Sequence, residues 1–132
     1  MDFQSYIRDI KDFPEPGVVF KDITPLLQDT LALTKACDTL CDLVGAVSVD
    51  KVVGVDSRGF IFAPMLAARL KAGFVPVRKK GKLPYNTISE TYALEYGEDS
   101  LEIHTDAIQK GEKVLVHDDV LATGGTAKAV CN

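Results

Sequence analysis

The chain has 132 residues, 46% hydrophobic and 26% charged, a globular composition that fits one compact domain and excludes collagenous, low-complexity and disordered classes. Lys+Arg 15 against Asp+Glu 19 leaves a formal charge of −4, the wrong sign for a protein whose main partner is a nucleic-acid backbone or an anionic membrane surface. Any anion it binds must be gripped by local groups. No uncharged run approaches the roughly 20 residues of a membrane span. The opening Met1-Asp2-Phe3-Gln4-Ser5-Tyr6-Ile7-Arg8 lacks the basic flank and apolar stretch of a signal peptide, so a cytoplasmic location is expected. Cys37 and Cys41, four apart with no neighbouring His, are expected to be small apolar residues in a reducing compartment.

Phe3, Tyr6, Ile7 and Ile10 have helical spacing and predict a short amphipathic helix ending before Pro14. Phe13-Pro14-Glu15-Pro16-Gly17-Val18-Val19-Phe20 combines prolines and a glycine with apolar residues, the pattern of a shaped loop rather than a linker. Asp29 or Thr30 caps a predicted helix with Leu33, Ala36, Cys37, Leu40, Cys41 and Val44 on its apolar face, stopping at Gly45. Lys51-Val52-Val53-Gly54-Val55 has the β-branched run of a buried parallel strand. It ends at Asp56-Ser57-Arg58-Gly59, followed by a predicted helix from Phe60 to Ala72, with Pro64 tolerated if it falls in the first turn and Gly73 as terminator.

Phe74-Val75-Pro76-Val77-Arg78 predicts a second strand, with Pro76 at an edge or at an unpaired N–H position. From Lys79 to Gly97 a basic start gives way to a β-leaning second half, and long loops of this kind in small domains are usually lids or binding loops. Ser100-Leu101-Glu102-Ile103-His104 alternates like a half-exposed strand, expected to pair with Tyr92 to Tyr96. Lys113 to His117 is the third buried strand. Strands alternating with helices predict an α/β domain whose ligands sit outside the carboxyl ends of the strands.

The densest chemistry follows that third strand: Asp118-Asp119-Val120-Leu121-Ala122-Thr123-Gly124-Gly125-Thr126, then a helix start. Adjacent glycines allow close backbone approach, and successive N–H groups at a helix start bind a phosphate without positive side chains. Thr123 and Thr126 add hydroxyls, while Asp118 and Asp119 suit ribose hydroxyls, a basic ring atom or a hydrated Mg²⁺. Phosphate and sugar in one turn point to a phosphorylated ribose. Neither a Gly-x-x-x-x-Gly-Lys-Ser/Thr loop nor a Gly-x-Gly-x-x-Gly fingerprint occurs, which removes most support for nucleoside triphosphate hydrolysis and NAD chemistry.

This segment resembles the phosphoribosyl pyrophosphate (PRPP) signature of the type I phosphoribosyltransferases. Asp56-Ser57-Arg58-Gly59-Phe60, Val77 to Pro84, Leu94-Glu95-Tyr96-Gly97 and Phe13 to Pro25 extend the resemblance, in register, to the adenine phosphoribosyltransferases. The resemblance implies a central parallel sheet flanked by helices, with a hood and a hairpin lid. Residues 1–28 would form an N-terminal helix and the base-binding hood loop, and residues 29–132 a core carrying the lid at 79–97. The family fold continues past the phosphate loop with the rest of a helix and a further parallel strand, so its C-terminal part is missing here.

The implied reaction is adenine plus PRPP giving AMP and pyrophosphate, a step of purine salvage, with Mg²⁺ on the pyrophosphate and no certain direct protein ligand. Alternatives are a xanthine or hypoxanthine/guanine phosphoribosyltransferase and a non-catalytic PRPP-binding regulator. The resemblance assigns catalysis to Glu95, Arg58 and Tyr96, and phosphate binding to Ala122, Thr123, Gly124, Gly125 and Thr126. Asp118 and Asp119 would hold ribose and purine, and Asp56, Ser57, Arg58, Arg78, Lys79 and Lys82 the pyrophosphate. Val19, Phe20 and Lys21 would read adenine, with Lys21 standing where the family often has Arg. It further implies a cis peptide between Asp56 and Ser57 and a homodimer. His104 and His117 are expected to be structural, since His117 sits in a buried strand pattern and neither has a carboxylate partner visible in the sequence.

Overall fold

The computed structural model describes residues 2–93 and 98–118, which fall into two compact units, Met1–Gly45 and Ala46–Asn132. In the first unit a 3-10 turn, Phe3–Tyr6, leads to strand β1, Arg8–Lys11, and its antiparallel partner β2, Val19–Asp22. Helices α1, Thr24–Gln28, and α2, Thr30–Val44, complete the unit. The expected N-terminal helix is therefore replaced by a turn and a strand. Asp2 accepts from the Gln4 amide at 3.1 Å, capping only the turn, and Ile7 is already extended. The register from Arg8↔Asp22 to Lys11↔Val19 satisfies backbone groups that a helix this short could not hold in water.

Between the two strands the chain makes the shaped loop that its prolines foreshadow. The Phe13 amide donates to the Val18 carbonyl at 3.1 Å, the Gly17 amide donates to Asp12 Oδ1 at 2.8 Å, and the Phe13–Pro14 peptide is cis. Helix α1 was not legible from periodicity, being too short to show any. Helix α2 follows expectation: Asp29 Oδ1 accepts from the Ala32 amide at 2.9 Å, and Gly45 ends the helix at a φ of 69°. The expected apolar face, from Leu33 to Val44, is the buried side, with Cys37 fully buried and Cys41 partly so.

The second unit is built on a five-stranded mixed sheet, ordered β5-β6-β4-β3-β7. Strands β3, Lys51–Val55, β4, Gly73–Lys79, and β7, Val114–His117, run parallel in the order β4-β3-β7. The hairpin of β5, Thr87–Ala93, and β6, Glu98–His104, is added antiparallel on the β4 side. The sheet is thus parallel only in its core. Ser100–His104 is a strand as expected, but its partners are Thr87 to Thr91 rather than Tyr92 to Tyr96. The segment thus begins pairing earlier than its most β-prone stretch suggests.

Helix α3, Gly59–Leu70, crosses from β3 to β4 and lies on one face of the sheet. Val53, Val55, Val75, Val77 and Leu101 form the core on the opposite face, each burial worth about 1.5–3 kcal/mol. Pro64 sits in the second turn of α3, inside the helix rather than in its first turn, so the Phe60 carbonyl receives no donor from it. Lys71, not Gly73, terminates α3 in the left-handed region at a φ of 57°, and Gly73 instead opens β4. Pro76 lies between two strands, yet its ring fits. The Asp56 amide donates to Val77 O at 2.8 Å, so odd residues of β4 face β3 and Pro76 faces β6, which pairs only with Arg78 and Lys79.

The seating of α3 on β3 requires glycine at Gly54. A Cβ there would lie 2.8 Å from Ala63 Cβ, 2.9 Å from the Gly59 carbonyl oxygen and 2.9 Å from the Phe74 ring. Gly54→Ala is expected to destabilise the protein by about 1–3 kcal/mol, read as a lowered urea midpoint at unchanged m-value. Gly59→Ala, whose Cβ would be tight against the His117 carbonyl oxygen at 3.0 Å and in ordinary contact with Gly54 and Val55 at 3.5 Å, should cost less.

Candidate active site

The three parallel strands end together. The register sets Val55 level with Val77 and Gly54 level with His117, so the turn Asp56-Ser57-Arg58, the basic segment after β4 and Asp118 emerge at one sheet edge. This is where open α/β sheets place ligands. The peptide between Asp56 and Ser57 is cis, as expected. The Ser57 and Arg58 carbonyls accept from the Phe60 and Ile61 amides at 3.1 and 3.2 Å, so the turn runs straight into α3. Gly59 is buried against the end of β7, the nearest atom to its absent side chain being the His117 carbonyl oxygen.

Asp56 and Arg78 form an ion pair, Nε to Oδ2 3.2 Å, in which the carboxylate side chain is only 14% exposed. The Arg78 guanidinium also lies 5.8 Å over the Phe60 ring. Arg78 is thereby fixed by a charge on one side and a ring on the other, leaving part of its fork at the edge where a polyanion would sit. Lys79 and Lys82 are exposed, and the Lys82 amide donates to the Lys79 carbonyl at 3.2 Å, closing a turn with Gly81 at a φ of 84°. The positive φ at the third position of that turn favours glycine.

Glu102, unremarked in the sequence, anchors this turn. Its Oε1 accepts from the Gly81 amide at 2.7 Å, and its Oε2 accepts from Thr87 Oγ1 at 2.8 Å and Ser89 Oγ at 3.1 Å. The Gly81 amide, then the Thr87 hydroxyl, hold its carboxyl below the ordinary value against the opposing effect of desolvation. Alternation along β6 places Glu102 on the polar face. Nothing in the sequence indicates that Gly81 would meet it.

In the first unit, the proposed base-reading residues lie on β2. Val19 is 51% exposed, and the Phe20 ring meets Phe13 edge-on with centroids 5.2 Å apart. Lys21 reaches across the strand pair to Asp9 at 2.7 Å. Asp22 accepts from the Thr24 amide at 2.9 Å and the Thr24 hydroxyl at 2.8 Å, the amide bond being the largest cause of its lowered pKa. His104 stands edge-on to Tyr85 and His117 edge-on to Phe62, with ring centroids 5.9 and 6.3 Å apart. A cavity of about 270 Å³ opens under the hairpin between Val77, Ile88, Leu101 and Ile108. Glu95, Tyr96, Asp119, Ala122, Thr123, Gly124, Gly125 and Thr126 lie outside the described residues.

A parallel core entered through a cis-peptide turn, with an acidic strand end beside it, defines the class. Residues 30–132 match the phosphoribosyl transferase domain. The chain is 62% identical over 131 residues to an adenine phosphoribosyltransferase of Christiangramia forsetii, covering 99% of this chain and 77% of the relative. It superposes on the crystal structure of adenine phosphoribosyltransferase from Rhodothermus marinus with a TM-score of 0.91 at 56% identity, covering 97% of this chain and 73% of that one. The enzyme from Saccharomyces cerevisiae, complexed with an imino-altritol bisphosphate and adenine, gives 0.92 at 40% identity, covering 98% and 76%. The chain belongs to the adenine phosphoribosyltransferase family.

Because the native contacts lower the Glu102 pKa, the stability they contribute is full above the unfolded-state value and is lost as pH falls through the folded one. The Gly81 amide resonance is expected to titrate with Glu102 at a midpoint below the ordinary 4.5. NMR titration checks this, and a midpoint at or above that value would contradict the geometry.

Proposed function

We infer that the chain transfers the phosphoribosyl group of PRPP to adenine, giving AMP and pyrophosphate in purine salvage. The observation that carries the assignment to these residues is the Asp56–Arg78 pair at the carboxyl ends of β3 and β4, one strand from Asp118. In the displacement the bond from the anomeric carbon to pyrophosphate breaks as the adenine ring nitrogen bonds to that carbon. The nitrogen's proton passes to Glu95, and the electron pair of the broken bond leaves with pyrophosphate. The ribosyl centre becomes oxocarbenium-like, so the protein must stabilise the departing charge, align the reactants and exclude water.

Each demand has an assigned group. Arg58 and Arg78, with the Asp56-Ser57 turn and Lys79 and Lys82, take the pyrophosphate through charge-assisted hydrogen bonds. The amides and hydroxyls of Ala122 to Thr126 hold the sugar phosphate, and Asp118 and Asp119 its ribose hydroxyls. The hairpin carries Glu95 and Tyr96 to the reacting centre and covers it against water. Val19 reads the adenine edge through its backbone, Phe20 stacks on the ring, and Lys21 lies beside them. A solved yeast relative is complexed with adenine and an imino-altritol bisphosphate, which supports a base and a phosphorylated partner as the two ligands.

Among the described residues no group of three His, Cys, Asp or Glu side chains converges to cage a metal. Asp118 is exposed at the strand end, and its carboxylate would suit the hydration shell of a Mg²⁺ bound with PRPP. The chemistry the ion supplies there is neutralisation of leaving-group charge. Among the described residues no helix is long and apolar enough to cross a membrane; a cytoplasmic homodimer completes the proposal.

The test is pyrophosphate release from PRPP, with adenine compared against hypoxanthine and xanthine as acceptor. Adenine is expected to be strongly preferred. Asp118→Asn/Asp119→Asn is expected to lower kcat/KM about 100-fold or more; unchanged turnover in that double variant would overturn the assignment of the strand end.

A further inference from the structure

We propose that Glu102 is a positioning residue that fixes the basic turn Lys79–Lys82 for the pyrophosphate end of PRPP, a role that rests on the pyrophosphate assignment above. The same carboxylate serves two elements. One oxygen holds the Gly81 amide in the turn, and the other holds Thr87 and Ser89 on β5. The backbone register makes this possible, because Glu102 lies directly opposite Arg78 on β4 and directly opposite Ser89 on β5. Directly paired residues point to the same face of a sheet, so Glu102 shares the face on which Arg78 reaches Asp56 and Phe60.

A carboxylate beside cations meant for an anionic substrate would compete with that substrate if its lone pairs were spare. Here three of its four lone-pair sites are taken by an uncharged amide and two hydroxyls, with Lys80 the nearby cation that adds attraction. The hydrogen bonds of Glu102 thus go to backbone and hydroxyl groups rather than to the side chain of Lys79 or Lys82. Those side chains are long and flexible, and presenting them from a fixed turn reduces the ordering cost of gripping a polyanion. The turn itself is closed by its own Lys82–Lys79 hydrogen bond. Without Glu102 it would keep its shape but lose its attachment to the hairpin, so binding of pyrophosphate should suffer more than folding.

The experiment compares Glu102→Gln with Lys79→Ala/Lys82→Ala in the full chain, measuring KM for PRPP, KM for adenine, kcat and the urea midpoint. Glu102→Gln removes a charged acceptor and adds a competing donor at the same size. The expected result is a rise of about tenfold in KM for PRPP, with KM for adenine and kcat within about twofold and a small drop in the urea midpoint. A lysine double variant that raises KM for PRPP while Glu102→Gln leaves it unchanged would overturn the positioning role and leave the pyrophosphate assignment standing. A silent lysine double variant would instead overturn that assignment. Should Glu102→Gln fail to fold, amide hydrogen exchange in the unaltered protein decides. Gly81 protected well beyond Lys80 at neutral pH, and losing that protection as Glu102 protonates, supports the anchor; equal exchange at the two amides overturns it.

Discussion

Everything at the carboxyl edge of the parallel core depends on how closely α3 rests on β3. With no side chain at Gly54, Ala63 and the Phe74 ring close over the strand, and with none at Gly59 the helix starts against the last carbonyl of β7. Helix and strands then behave as one block, as dense interiors do. The short connection from Val55 to Gly59 has no room for another path, and it presents Asp56, Ser57 and Arg58 to the same edge as Arg78 and Asp118.

Charge at that edge is organised by assigning each carboxylate a partner of a different kind. Asp56 takes a guanidinium, which orients Arg78 without leaving an unpaired acid near an anion. Glu102 takes an amide and two hydroxyls and so organises backbone. Asp118 stands exposed at the strand end, where ribose hydroxyls or a hydrated cation suit it. A chain of net charge −4 can in this way collect a local excess of positive charge for a polyanionic substrate.

The parts of the fold that were legible are those whose signal is local. Asp29 and Gly45 delimit α2 by capping chemistry, and Lys51 to Val55 announces a buried parallel strand by its β-branched run. The turn at Asp56 was recognisable, down to its cis peptide, because its residues recur as a motif. The illegible parts depend on partners distant in sequence. Phe3 to Ile10 has helical spacing, yet Arg8 to Lys11 becomes a strand because Val19 to Asp22 is there to pair with it. The β5 register is set by β6, not by where Tyr92 and Tyr96 concentrate β-propensity. Glu102 is one acidic residue among many until pairing brings Gly81 to it. Most of the proposed phosphate loop, with Glu95 and Tyr96, rests on motif alone.

Pro76 has a consequence for the hairpin. Its ring removes the donor that would have continued the ladder toward β6, so the seam joining hairpin to core is confined to the Arg78 and Lys79 levels. An arm attached by so short a weld can pivot at the cost of few inter-strand bonds, and its pivot coincides with the residues assigned to the leaving group. One imino acid thus limits how much sheet ties the hairpin to the parallel core.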